Sequence, residues 1–236
     1  MCAYMSSDPS LSYEFTLPDG KHILYDFIFD GQRHQLTRAK HTPPPWAELH
    51  CQQCKHCPYQ QGSGPKHCPA AVQLSMVVTD LDTLASFEHM QVCIKTPERT
   101  IIQSVSAQQA ISSLLGLLFA SSGCPHTEFL LPMAKFHTPF SNPEETLWRA
   151  SSSFLLAQYF RGLNNEKSES LDDLVRRYEN LEILNSAMVK RLRNQVDTDA
   201  CLNAIVLLDN YAKMYPLFLE KSLSSLRPLY QSYLQH

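Results

Sequence analysis

The stretch that decides the fold is "SYEFTLPDGKHILYDFIF", residues 12–29. Apolar and polar residues alternate on both sides of "PDGK", where Gly20 can adopt a positive φ. The alternation puts two sets of large apolar side chains on one face each: Tyr13, Phe15 and Leu17, then Ile23, Tyr25, Phe27 and Phe29. A period of two around a tight turn predicts two antiparallel strands.

Neighbouring segments extend this sheet. Asp30 and Gly31 form a second turn signal, and "QRHQL" (residues 32–36) predicts a third strand of a meander. Farther along, "MQVCIKTPERTIIQ" (residues 90–103) predicts another hairpin that turns at "TPER". The expected fold class is α+β: an antiparallel sheet with packed helices and a cysteine-rich metal-binding loop, followed by a C-terminal helical bundle.

Three long helices are predicted within the first part of the chain, together with a short one in "TEFLLPMAKF" (residues 127–136). After Cys68, apolar residues recur at helical spacing as far as Leu81, with Pro69 at the first position and Cys68 as N-cap. A second helix begins with a Ser106/Gln109 capping box, is apolar nearly all round, and ends at Gly123 and Pro125. The third has Asn142 as cap, Pro143 at its first position and Glu145 completing the box, and it runs to about Phe160.

A polar stretch, "GLNNEKSES" (residues 162–170), predicts a boundary between an α+β domain, residues 1–163, and a helical bundle, residues 164–236. A heptad pattern with Asn185 at a core position opens the second unit. Val175 and Val189 widen the apolar stripe, which favours an intramolecular bundle over a coiled coil. Two further helices are expected near 198–214 and 216–234, with Pro216 opening the last.

Composition narrows the function classes. The chain has 236 residues, is 44% hydrophobic and carries a formal net charge of −3. This balance gives no support for nucleic acid or anionic lipid as a partner. No signal peptide is recognisable at the N-terminus, and the most apolar run, Ala110 to Ala120, is too short to span a bilayer. A cytoplasmic protein with reduced thiols is expected, with no membrane association.

Four cysteines are concentrated in "HCQQCKHCPYQQGSGPKHCPA", residues 50–70: Cys51, Cys54, Cys57 and Cys68. Disulfides would need an oxidising compartment. Packing of free thiols fits poorly with the surrounding Gln, Lys, His, Gly and Pro residues. Metal ligation is therefore favoured, and Cys2, Cys93 and Cys201 are interpreted as isolated packing residues.

The identity of the metal stays open at this level. A C-x2-C knuckle with two further cysteines suits structural zinc, for which neighbouring His50, His56 or His67 can substitute as a ligand. The C-x2-C-x2-C run with a distant Cys-Pro also suits a 4Fe-4S cluster. Because the intervening loop would gain order from a cross-linking metal, structural zinc is the first expectation.

A second group of reactive residues lies in and after "SGCPHTEFLLPMAKFHTPF": Cys124, His126, His137 and Arg149. Short connections between their elements predict that they converge in one pocket able to bind an anion or a second metal. The alternative is a capped helix end with one packed thiol and two hydrogen-bonded histidines.

The ordered motifs C-x2-C-x2-C, "CPAA", "TPER", "SGCPHT", "FHTPF", "EETLWRA" and "LLAQYF" resemble an uncharacterised bacterial family, a domain of unknown function. The resemblance covers about residues 10 to 162, supports the two residue groupings and implies no activity. It leaves the helical tail outside.

Three function hypotheses follow. The first is a metal-stabilised interaction or regulatory protein, with a protein partner or self-association through the C-terminal helices. The second is an iron–sulfur redox or small-ligand protein, or an enzyme using Cys124 and His137. The third, nucleic-acid binding through basic residues of the tail, is disfavoured by the acids that accompany them. Whether the chain is an enzyme stays undecided, since no nucleotide loop or nucleophile motif is present.

Overall fold

The computed structural model describes residues 10–29, 36–37, 41–59, 64–81, 83–193, 195 and 199–235. Within them the α+β prediction is confirmed. Antiparallel pairing joins five strands in the order β3-β2-β1-β4-β5. Their bounds are β1 Leu11–Thr16, β2 His22–Phe29, β3 Leu36–Thr37, β4 His89–Lys95 and β5 Thr100–Ser106.

The alternation of residues 12–29 buries one face of the sheet as expected. Tyr13, Phe15, Tyr25 and Phe27 are each 0% exposed, and Tyr13 lies opposite Tyr25 in the β1–β2 register. The predicted third strand at 32–36 falls mostly outside the described residues, and β3 begins at Leu36. The second hairpin is confirmed, because Thr96 N–H donates to Arg99 O at 2.9 Å where β4 turns into β5.

Helices cover the buried face of the sheet and extend beyond it. Their bounds are α1 Pro69–Leu81, α2 Ala107–Ala120, α3 Leu131–Lys135, α4 Pro143–Leu163, α5 Leu171–Leu192, α6 Ala200–Leu226 and α7 Gln231–Leu234. The predicted box at α4 is confirmed, with Glu145 N–H donating to Asn142 Oδ1 at 2.9 Å and Asn142 N–H to Glu145 Oε2 at 2.8 Å. In the described part of the chain, no helix combines the length and apolar character that crossing a membrane requires.

A helical bundle follows the sheet, but it is built from different helices than the sequence predicts. Its core joins α4, α5 and α6 through residues such as Phe154, Tyr178 and Tyr215. The prediction that Pro216 opens a helix was wrong, because α6 continues through it. Buried Ala212, Tyr215 and Leu219 pack on both sides of this proline, and their burial offsets the lost backbone hydrogen bond.

The helices after residue 163 also complete the core of the sheet. Leu184 and Met188 of α5, with Ala204 and Ile205 of α6, belong to the same buried cluster as Tyr13 of β1. Separate domains, 1–163 and 164–236, remain a prediction about folding units, and this shared core weighs against separate folding.

Candidate functional site

A small antiparallel bridge closes the cysteine loop. Glu48 pairs with His67, Leu49 N–H donates to Lys66 O at 3.0 Å, and Cys68 N–H donates to Ala47 O at 2.8 Å. The backbone of Val72 in turn bonds Cys68 O at 3.0 Å, so Cys68 sits at the start of α1 as predicted. The two ends of the loop are thereby held side by side at the base of α1.

Four cysteines from three chain segments line one enclosed cavity of about 20 Å³: Cys54, Cys57, Cys68 and Cys124. A turn in which Cys57 N–H donates to Cys54 O at 3.0 Å brings the first two together. Cys124 follows α2, which ends at Ala120, and comes directly after Gly123, which adopts a φ of +81°. Cys124, which the sequence placed in a second site with His137 and Arg149, therefore lies with the loop cysteines.

Cys51 is placed differently. It is half-buried and is not among the described lining residues of the thiol cavity. The predicted set of four ligands is therefore represented in the cavity by three members, with Cys124 as the fourth thiol.

Burial keeps two of these thiols protonated. Burial, followed by the neighbouring Cys68, Cys124 and Cys57, raises the pKa of Cys54 to about 12. Burial also raises the pKa of Cys124 to about 11, against hydrogen bonds from the backbone of His126 and Thr127. In the absence of a bound cation these groups are uncharged at neutral pH, so binding a metal would release protons.

Arg191 of α5 supplies a cation at the wall of this cavity. It is 3% exposed and donates to Trp46 O and Glu48 O at 2.7 Å and to Leu49 O at 3.1 Å. Its Nε has no hydrogen-bond partner among the described residues. The guanidinium therefore ties the cysteine loop to α5 through neutral carbonyls.

Two histidines, His56 and His126, also contact each other and the cysteine loop. The rings of His56 and His126 stack with centroids 3.8 Å apart. His56 Nε2 donates to Asn180 O and His126 Nε2 to His56 O, both at 3.0 Å. Nδ1 of His56 is buried without a described partner.

The thiols surround a space and do not form a closed ligand set. Among the described residues, no three His, Cys, Asp or Glu side chains lie in an arrangement that could hold a metal ion as they stand. Binding a single ion would therefore require side-chain rotations that draw sulfurs into the cavity.

The second predicted group is divided between two cavities. Cys124 and His126 line the thiol cavity, whereas His137 and Arg149 line a separate one of about 360 Å³. There, buried Tyr13 bonds His137 Nε2 and lies 3.0 Å from Ser113 Oγ. This division removes support for an enzyme that uses Cys124 and His137 together.

Sequence reasoning missed that Cys124 belongs with the loop cysteines, and it placed Arg191, which is 3% exposed, on a solvated basic face of the tail. One signal was present: Cys57, Cys68 and Cys124 are each followed directly by proline. Nothing local marked Arg191, because its partners lie on a distant segment of the chain.

The chain belongs to the family described as a domain of unknown function (DUF6901), whose match covers residues 11–231. This range includes the C-terminal helices, which the resemblance in the sequence had left outside. No curated protein and no solved structure matches the chain.

Proposed function

We propose that the chain is a metal-stabilised binding protein in which Cys54, Cys57, Cys68 and Cys124 hold one metal centre, with zinc as the first candidate. The observation that carries the proposal is that thiols from three segments face one enclosed cavity. Four cysteine thiolates are a complete ligand set for structural zinc.

The centre would have a structural role. It would join the loop before α1, the first residue ahead of α1 and the end of α2, the helix that contributes most to the core. The described residues of the loop, 48–59 and 64–68, have little regular secondary structure between the 3-10 helix Pro45–Ala47 and α1. Such a segment gains order when a metal cross-links it, so metal binding and folding would be coupled.

Charge supports a thiolate centre at this position. A zinc ion with four thiolates carries a net charge of about −2, which is costly to bury alone. Arg191 lines the cavity and is bonded to neutral carbonyls, so its positive charge is available to offset part of that cost.

A 4Fe-4S cluster is the second candidate. Zinc with bonds of about 2.3 Å would pull the four sulfurs close together. A cubane bound by one thiolate at each iron holds its ligands farther apart, around a space. The cavity of about 20 Å³ has room for a single ion and not for a cubane as it stands, so this alternative, which would make the protein a redox or regulatory one, ranks second.

Metal analysis of reduced protein, purified without a chelating column, tests the proposal and separates the two metals. We expect either about one zinc, or about four irons with absorption near 400 nm, per chain. Cys54→Ser, Cys57→Ser, Cys68→Ser and Cys124→Ser should each lose most of the metal.

Cys51→Ser and Cys93→Ser are matched controls, because both remove a half-buried thiol outside the cavity lining. They should keep the metal. A protein with intact thiols and no metal, or equal metal loss in Cys51→Ser and Cys124→Ser, would refute the grouping.

Self-association is the partner that we propose, in a cytoplasmic setting that keeps the thiols reduced. Its support is a row of exposed large apolar side chains on α4: Trp148, Leu155, Leu156, Tyr159, Phe160 and Leu163. The same patch on two copies can form a two-fold interface.

Light scattering of the wild-type protein should give the mass of a dimer, and Leu155→Glu should reduce it to the mass of a monomer. A monomer in the wild type would contradict it.

A further inference from the structure

The larger cavity has walls from the sheet and from five helices, including Met133 of α3. Its volume is about 360 Å³, and its lining includes Val105 of β5, Gly116 of α2, Arg149 of α4, Asn185 of α5 and Leu208 of α6. Volumes of this order are typical of small-molecule sites. None of the four clustered cysteines is among its described lining residues, so its occupancy and the metal content can be measured independently.

The lining is mainly apolar and carries a single fixed charge. Arg149 is the one residue with a permanent charge among the described lining residues, and no Asp or Glu is among them. His137 is neutral, because burial and the nearby Arg149 lower its pKa to about 3. A cavity of this kind favours an apolar ligand with one negative charge.

Arg149 is held by neutral acceptors. Its Nη2 donates to Met133 O and Phe136 O, both at 2.9 Å, and its Nη1 donates to Ser141 Oγ at 3.3 Å. Among the described residues no carboxylate lies within ion-pair distance of it, although Glu145, one turn earlier on α4, interacts with it electrostatically. A fixed guanidinium without a direct ion-pair partner is preorganised for a ligand carboxylate.

Asn185 gives a second, independent indication of a ligand. The residue is 4% exposed and lines the cavity, yet no described residue forms a hydrogen bond with its side-chain amide. Its amide is therefore free to form hydrogen bonds with a polar group of a ligand in the cavity.

We propose that this cavity binds an apolar carboxylic acid whose carboxylate pairs with Arg149 and whose far end carries a hydroxyl or carbonyl that bonds Asn185. The apolar body lies between them, against α2 and α6.

Calorimetric titration of the full chain with four probes tests the class of ligand: decanoate, 10-hydroxydecanoate, decan-1-ol and decylamine. We expect decanoate to bind at least tenfold more tightly than the alcohol or the amine, and the hydroxy acid to bind about fivefold more tightly than decanoate. Equal affinity for acid and alcohol, or no binding of either acid, would overturn the proposal.

Variants locate the site. A Cβ added at Gly116 would meet only Leu208 Cδ2, at 3.7 Å, so Gly116→Leu has room to fold and should fill the cavity. Gly162 is the matched control, since a Cβ there meets nothing within 4 Å. Gly116→Leu should weaken decanoate at least tenfold and Gly162→Leu less than about twofold.

Arg149→Gln separates charge from packing, because glutamine keeps an amide donor. It should weaken decanoate at least tenfold while leaving decan-1-ol within about twofold. Asn185→Leu should abolish only the advantage of the hydroxy acid. If Gly116→Leu leaves decanoate binding unchanged while metal content is normal, the ligand site is wrong and the metal proposal is unaffected.

Discussion

At the scale of single residues, His137 is the group whose protonation between about pH 3 and 7 is most strongly changed by folding. Its ring is held by buried Tyr13, and burial together with Arg149 lowers its pKa from 6.5 to about 3. A depressed pKa means that its contribution to stability is complete above about pH 6.5 and declines as the pH falls toward 3.

We therefore expect acid to destabilise the protein through this residue. Each pH unit corresponds to about 1.4 kcal/mol, so the free energy of unfolding should fall by about 2 kcal/mol from His137 alone between pH 6.5 and 5. Urea denaturation at both pH values measures it. In His137→Gln this part of the pH dependence should disappear, whereas His89→Gln, which changes an exposed histidine of β4, should retain it.

The members of the thiol cavity were only partly predictable from the sequence. The sequence grouped the four loop cysteines because three of them are close together along the chain, and Cys54, Cys57 and Cys68, without Cys51, line the cavity. It placed Cys124 elsewhere, since the contact depends on how α2 packs against α1, and local spacing carries no information on such packing. The three Cys-Pro pairs are a weak pattern, and their connection to one site is recognisable only once the cavity is known.

At the scale of elements, the strands and caps were predictable because their signals are local. The alternation around Gly20 fixed the β1–β2 pair, and Asn142 with Glu145 fixed the start of α4. Pro216 misled, because its local preference for a helix start was overridden by tertiary contacts. Tyr215, next to it, stacks on Tyr178 of α5 with ring centroids 3.9 Å apart.

If tertiary contacts hold Pro216 inside α6 against its local preference, replacing this proline should stabilise the helix. Pro216→Ala restores a backbone donor inside the helix and should raise the free energy of unfolding by about 1–3 kcal/mol. Pro228 is the control: it lies in the first turn of the 3-10 helix Arg227–Tyr230, where a proline costs little. Denaturant titration of both variants measures the difference. A destabilised Pro216→Ala would show that α6 requires the proline.

At the scale of the whole molecule, the two buried clusters meet along α5 and α6. The first contains the sheet together with Leu184 and Ile205, and the second contains Tyr178 and Tyr215 of the same two helices. A rigid helix that belongs to both clusters should transmit unfolding of one to the other. The polar stretch near residue 164 marks a turn between helices and gives little information on how the chain divides into folding units.

The two tryptophans of the chain make this testable. Trp46 packs against the first cluster, while Trp148 lies on α4 and donates to Tyr230 Oη at 2.6 Å. In Trp46→Phe and Trp148→Phe, each remaining tryptophan reports on one part of the molecule. We expect denaturation followed by fluorescence to give coincident midpoints and slopes, equal to those from circular dichroism of the wild type.

Residues 1–163 alone should then be unfolded, because their core lacks the side chains of α5 and α6. Two separated transitions, with a folded fragment 1–163, would instead establish the two-domain organisation expected from the sequence.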